Sequence, residues 1–169
     1  MSEEELNEDL NEEDIIIRNY RTSDYEATLE ILRELQDQYD IGLDENKWKE
    51  SSGLRQFKPN LKRITLIAEY KPNGEVVGMG MLEAVKNTLG QYLGYLDNWS
   101  VKKEFIGRNL GKILAERAVQ VLRSWGCVSI RINMSYKTDK KVLDVICKGG
   151  GFKPIFIVLE KKFDDKENK

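Results

Sequence analysis

The spacing of apolar residues predicts an α/β (α+β) fold, a central mixed, mostly antiparallel sheet of six to seven strands flanked by about four helices. Three features of the sequence carry this reading. A β-branched run at 15–17 is followed by apolar positions that recur every three or four residues. A central stretch at 64–101 changes to a period of two, with turn residues between its runs. A second helical stripe at 109–125 then leads into another alternating run at 128–134.

Taken in order, Ile15, Ile16 and Ile17 open the first strand, and Thr22, Ser23 and Asp24 offer the oxygens that start a helix. Tyr25, Leu29, Leu32, Leu35 and Tyr39 line one side of that helix, which Gly42 breaks before a short second helix near Asp44. Ile64, Leu66 and Ala68 alternate with Thr65, Ile67 and Glu69 up to a Pro72-Asn73-Gly74 turn; strands at 75–85 and 92–101 complete an antiparallel meander. Leu110, Ile113, Leu114, Ala118, Val121, Leu122 and Trp125 trace one helical stripe that Gly126 ends. Val128, Ile130, Ile132 and Met134 alternate as a fifth strand, 138–148 reads as a helix, and 152–161 as a final strand or pair.

The chain has 169 residues, enough for one core and too few for two. The expected organisation is an acidic, solvated tail at 1–14, a single domain at 15–163 and a charged tail at 164–169. The formal charge of -2 excludes a strongly basic nucleic-acid binder. Residues 1–14 carry eight acids and no base, so the remaining 155 residues have a charge of +6. A basic body of this kind suits a small polyanionic ligand, although a mildly basic surface needs none. No run approaches the roughly 18 apolar residues of a membrane span, and the acidic start is unlike a signal peptide, so a cytoplasmic protein without membrane contact is expected. Cys127 and Cys147 stand alone in a chain without histidine. That argues against a disulfide framework or a Cys/His zinc site, and no metal is expected.

The chemistry-bearing stretch is 95–126, YLDNWSVKKEFIGRNLGKILAERAVQVLRSWG. A strand runs into a loop with Gly107 and Gly111 and directly on into a helix. This arrangement offers free N–H groups and the positive end of a helix dipole to an anion. Arg108 and Lys112 add formal charge, and Asn109 can cap the helix or adopt the left-handed conformation. The spacing fits neither a Walker A loop nor a dinucleotide fingerprint, and a plain tight turn explains two glycines equally well.

The same stretch resembles motif A of the GNAT acyltransferases, in which a strand ending in Val is followed by four residues and then R/Q-x-x-G-x-G/A opening a helix. Val101, KKEF and IGRNLG fit that frame, and the order of elements over about 15–161 agrees with the family. The resemblance implies acetyl-CoA, or another acyl-CoA, as donor to an amine, either a small molecule or a protein or peptide amine. It implies that the backbone of Trp99, Ser100 and Val101 pairs with the thioester and pantetheine arm. The amides of Gly107, Arg108, Asn109, Leu110, Gly111 and Lys112 would hold the pyrophosphate. Homodimers are common in the family, though no exposed apolar stripe here demands one.

Direct transfer needs the ammonium deprotonated, the oxyanion stabilised and the thiolate reprotonated. Asp97, four residues before Val101, stands where relatives carry an acid and is the candidate base, acting through water because a carboxylate near pKa ~4 is too weak for an amine near 10. Asn98 occupies the adjacent, often acidic, place. An Asp at a strand's irregular end explains Asp97 as well. Relatives place a Tyr five residues before the Phe of a Gly-Phe pair, and here that position is Cys147. A thiol of pKa ~8.5 could protonate a leaving thiolate, while a small buried apolar residue is the competing reading. Tyr136 is an alternative acid.

Ile106 replaces the Arg or Gln of the motif, Asn109 its central Gly, and Lys140 stands where relatives often have an Asn contacting CoA. The segment joining the first two helices, QDQYDIGLDENKW, usually walls the acceptor site. Its acids, with Tyr39 and Asp40 foremost among the candidate contacts, suit a cationic amine, though a solvated helix face explains them too. Besides the acyltransferase, two alternatives stand: a GNAT-fold module that binds acyl-CoA without turnover, and a cofactor-free interaction domain whose acidic tail docks to a basic partner.

Overall fold

The run Ile15-Ile16-Ile17 does open a strand, β1 (Ile15–Asn19), which crosses into a 3-10 turn at Thr22–Asp24 and then into α1 (Tyr25–Tyr39). The computed structural model describes residues 10–39, 42–56, 59–134, 138 and 140–155. They divide into a unit at 1–133 and a second at 134–169.

In the first unit α1 is followed by α2 (Glu45–Glu50), α3 (Ser52–Arg55), β2 (Arg63–Tyr70), β3 (Glu75–Lys86), β4 (Tyr92–Val101), α4 (Leu110–Ser124) and β5 (Cys127–Ile132). The strands lie in the order β1-β2-β3-β4-β5. The first three pairings are antiparallel because short turns join the meander, whereas β4 and β5 are parallel because α4 carries the chain back to the same end of the sheet.

Helices cover both sheet faces, so β2 is buried continuously from Ile64 to Ala68 instead of alternating between core and water. On one face Leu110, Leu114, Ala118 and Leu122, spaced four apart on α4, pack with Leu66, Ala68, Val77, Leu82 and Leu96. On the other, Ile31 and Leu32 of α1 pack with Tyr20, Ile67, Val76 and Met79. The turn before α1 is fixed by charge. Arg18 forks onto both oxygens of Asp24 at 2.7 and 2.8 Å and sends Nε to Glu69 at 2.7 Å, while Asp24 also accepts the Arg21 amide at 2.7 Å. Burial works to raise the Asp24 pKa, but these donors outweigh it and hold the carboxyl below its usual range.

The expected tail at 1–14 is folded from Leu10 onward. Leu10 is buried in the α4-side core, its amide donates to the Arg108 carbonyl at 3.2 Å, and Glu12–Asp14 form a 3-10 turn capped by Asn11. The reason is Leu10 itself, an apolar side chain that the charge pattern around it conceals. The rest of that stretch, 1–9, lies outside the described residues, as does the charged tail.

In the second unit α5 (Lys140–Asp144) passes into a π-helical turn over Val145–Gly149, inside the span expected to be helical. The turn is closed by the Gly150 amide donating to the Ile146 carbonyl at 3.1 Å. The sheet has five strands among the described residues, fewer than the six to seven expected. Residues 152–155 are irregular, and 156–161, the remainder of the expected last strand, lie outside them. Among the described residues no helix is long and apolar enough to cross a membrane.

Candidate functional site

The pairing of β4 with β5 stops at Leu96 opposite Ile132, yet β4 runs on beside β3 to Val101. From Asp97 to Val101 the β5 side of β4 therefore pairs with no strand among the described residues, leaving an open row of backbone donors and acceptors. The ladder to β3 breaks in the same stretch. Met81 pairs with Asp97 and Met79 with Ser100, so Asn98 and Trp99 together oppose the single residue Gly80. Asn98 takes a positive φ of 47° to make the bulge. The Trp99 ring lies across Gly80 so closely that a Cβ there would stand 2.4 Å from it.

Beyond β4 a 3-10 turn, Lys103–Phe105, is anchored by buried Phe105. Gly107 and Asn109 then adopt φ of 83° and 65° and turn the chain into α4. Glycine takes such a φ without strain, and Asn109 tolerates it, so the left-handed role foreseen for Asn109 is the one it has; its side chain makes no capping bond. Among the described residues, the amides of Gly107, Asn109, Leu110 and Gly111 donate no hydrogen bond, as expected of a first helical turn with no side-chain cap. Arg108 sits over the Phe105 ring at 5.3 Å, and exposed Lys112 reaches Glu116 at 3.9 Å. The open strand edge and the unpaired amides are thus continuous along one stretch of chain.

A cluster of charges supports this loop from beneath. Lys102, 7% exposed, pairs with Glu75 at 2.8 Å and Glu30 at 3.1 Å, and the Lys103 amide donates to Glu34 at 3.0 Å. Lys102 holds the Glu75 carboxyl below its usual range. Burial opposes the charge on Lys102, but its two carboxylates outweigh that and raise its pKa. None of this was visible in the sequence, where a lysine after a strand reads as solvated.

Against the same strand lies an open cleft of about 380 Å³ between α1, α2 and β4, with Leu32, Leu35, Trp48, Ser51 and Asn98 among the residues lining it. Asn98 lines the cleft, its Nδ2 donating to Met81 Sδ at 3.1 Å. Asp97 is exposed and, being paired with Met81, faces the same side of the sheet. Tyr39 ends α1, and Asp40 and Tyr136 lie outside the described residues. Two acids of the connecting segment are engaged: Asp44 caps α2 through the Lys47 amide at 3.0 Å, and Glu45 forks onto Arg33 at 2.7 and 2.8 Å.

In the second unit Cys147 is a free, half-buried thiol in the π-helical turn, and Lys140 is exposed at the start of α5. Cys127 opens β5, where burial pushes its thiol up despite Lys62. Among the described residues no group of three or more His, Cys, Asp or Glu side chains could hold a metal ion.

Residues 25–139 match the model of the acetyltransferase (GNAT) family. No curated protein matches the chain by sequence. Among solved structures, an acetyltransferase of Trypanosoma brucei is similar with a TM-score of 0.70 at 22% identity, over 89% of this chain and 100% of that one. Glucosamine-6-phosphate N-acetyltransferase from Arabidopsis thaliana gives 0.70 at 20% identity, over 89% and 99%. The aminoglycoside N-acetyltransferase AAC(6')-Iy, in complex with the bisubstrate analogue CoA-S-monomethyl-acetylneamine, gives 0.67 at 15% identity, over 89% and 98%.

Proposed function

Because this chain belongs to the GNAT acetyltransferase family, we propose that it is an acyl-CoA-dependent N-acyltransferase that moves an acetyl group from acetyl-CoA to a primary amine by direct attack. The observation that carries the reading is the continuity of the open β4 edge with the unpaired amides at the start of α4. An extended pantetheine arm, itself an amide chain, can pair with the backbone of Trp99, Ser100 and Val101 as a short added strand. The pyrophosphate then meets the amides of the 107–112 turn at the positive end of α4, with Arg108 and Lys112 beside it. A helix start presenting several N–H groups at once favours a diffuse anion over a point charge.

The acceptor amine enters the cleft between α1 and α2, where Asn98 stands on the bulge beside Asp97. Asp97 removes the ammonium proton through a water molecule. Cys147 is the group we assign to return a proton to the departing thiolate. The neighbouring structures' names mention glucosamine 6-phosphate and acetylneamine, which favours an amine on a small polar molecule as acceptor.

Calorimetric titration of the protein with acetyl-CoA tests this, with CoA and a simple adenine nucleotide as controls, followed by an assay of amine-dependent CoA release. Micromolar binding that favours acetyl-CoA is the expected result. Absence of binding would overturn the donor site, and binding without release under a broad amine screen would make the chain an acyl-CoA-binding module.

A further inference from the structure

We propose that the acceptor carries an anionic group, a carboxylate or phosphate, in addition to its amine, and that Arg55, held behind the cleft wall by Trp48 and Ser51, is the residue that selects for it. This rests on the acyltransferase reading above and names the substrate class of the same site.

The starting point is a charge without a counter-charge. Arg55 is 1% exposed, and among the described residues no carboxylate lies within ion-pair distance of it. Its partners are all neutral. Nη1 donates to Ser51 Oγ at 3.0 Å and Nη2 to the Trp48 carbonyl at 2.6 Å, while the guanidinium lies over the Trp48 ring at 3.7 Å and the Tyr20 ring at 5.3 Å. Arg55 Nε and Trp48 Nε1 are buried with no acceptor among the described residues. Two partly buried guanidinium groups elsewhere are matched by carboxylates: Arg18 has Asp24 and Glu69, and Arg63 has Glu83. A buried cation left without an anion is strongly disfavoured, and ring faces offset only part of that cost.

Position supplies the second step. Trp48 and Ser51, which hold the guanidinium, both line the cleft. The charged residues on the cleft wall itself cancel, since Lys47 meets Asp44 at 3.6 Å, and Glu45 nearby is taken by Arg33. Behind this wall Arg55 is a buried charge with no counter-charge among the described residues, screened from solvent by the protein and correspondingly strong. The Ser51 hydroxyl forms a relay to it. It accepts from Nη1 and donates to the Trp48 carbonyl at 3.1 Å, a carbonyl that keeps its bond from Nη2 if the hydroxyl turns toward a ligand oxygen. Across the cleft stand Asn98 and, on the same sheet face, Asp97. A zwitterionic acceptor satisfies both ends, its ammonium at β4 and its anion at α2, whereas a diamine sets one cation against Arg55.

The test uses matched amines titrated calorimetrically into the protein saturated with acetyl-CoA: phosphoethanolamine against ethanolamine, and 4-aminobutanoate against 1,4-diaminobutane. At least tenfold tighter binding of one anionic member over its partner is expected, and whether phosphate or carboxylate wins identifies the group. Equal binding, preference for the diamine, or binding of none overturns the proposal. Repeating the titrations without acetyl-CoA separates the two readings. Acetyl-CoA binding with no anion preference sinks this proposal alone, and anion preference without acetyl-CoA binding sinks the transferase reading alone. Arg55→Gln, with folding checked by Tm, should abolish the preference, and a folded variant that retains it removes Arg55 from the role. If that variant does not fold, Ser51→Ala reads the relay instead, with a several-fold loss expected and an unchanged preference counting against it.

Discussion

Asp97 and Asn98 stand at the point where β4 loses one neighbour and bulges against the other, so their side chains are exposed beside a cleft instead of being committed to a ladder. Replacing Asp97 by Asn should leave acetyl-CoA affinity unchanged and lower amine-dependent CoA release by about tenfold or more, the lower range of positioned acid–base catalysis. Unchanged turnover in that assay would remove Asp97 from the chemistry. Cys147→Ser should lower amine-dependent CoA release several-fold while leaving acetyl-CoA affinity unchanged. An unaltered rate would return Cys147 to a packing role. The left-handed Asn109 was legible in the sequence, because an Asn beside glycines just before a helix marks where the backbone turns. Lys102 and Arg55 were not, because burial of a cation depends on what other elements bring to it, and a lysine after a strand or an arginine in a short helix carries no local mark of that.

The element that organises the site is the end of β4, and its bulge depends on the absence of a side chain at Gly80. A methyl group there would meet the Trp99 ring at 2.4 Å, so the ring and with it the strand edge must shift. Gly80→Ala is expected to cost about 1–3 kcal/mol of stability and to weaken acetyl-CoA binding, measurable as a lowered denaturant midpoint together with a raised dissociation constant. Loss of stability with undiminished binding would mean that the bulge does not shape the donor site. The sequence disclosed the strand and its successor helix through their periods of two and 3.6, and it disclosed the α4 turn through its glycines. The bulge was hidden, since nothing in the run GMGML or DNWSV says which residue will lose its partner. The last expected strand and the acidic tail mark the other limit. Alternation and charge density describe a segment's own preference, whereas Leu10 is folded because a core elsewhere in the chain receives it.

At the scale of the molecule, ion pairs join segments distant in sequence: Arg18 links Asp24 to Glu69, and Lys102 links Glu30 to Glu75. Asp24 and Glu75 have pKa values below their ordinary ones, so each adds stability that is fully present above the ordinary carboxylate range and is lost as pH falls through the lowered folded values. Lys102 is raised, so its contribution is complete below the ordinary lysine value and disappears as pH rises through the higher folded one. Urea unfolding should therefore give a plateau in stability between about pH 5 and pH 10, falling at both ends. A flat profile down to pH 3 would show that these pairs add nothing net. One of the linking elements has a further meaning. Helix α1 grips the loop after β4 with Glu30 and Glu34 and walls the cleft with Leu32 and Leu35. Inserting a single residue between Leu32 and Glu34 would turn Glu34 and Leu35 about 100° away from Glu30 and Leu32, breaking both grips at once. The helix is thus a gauge block whose length cannot drift, and descendants of this protein can reshape the cleft by exchanging side chains along it or by altering the segment after Tyr39, but not by lengthening it between Glu30 and Leu35.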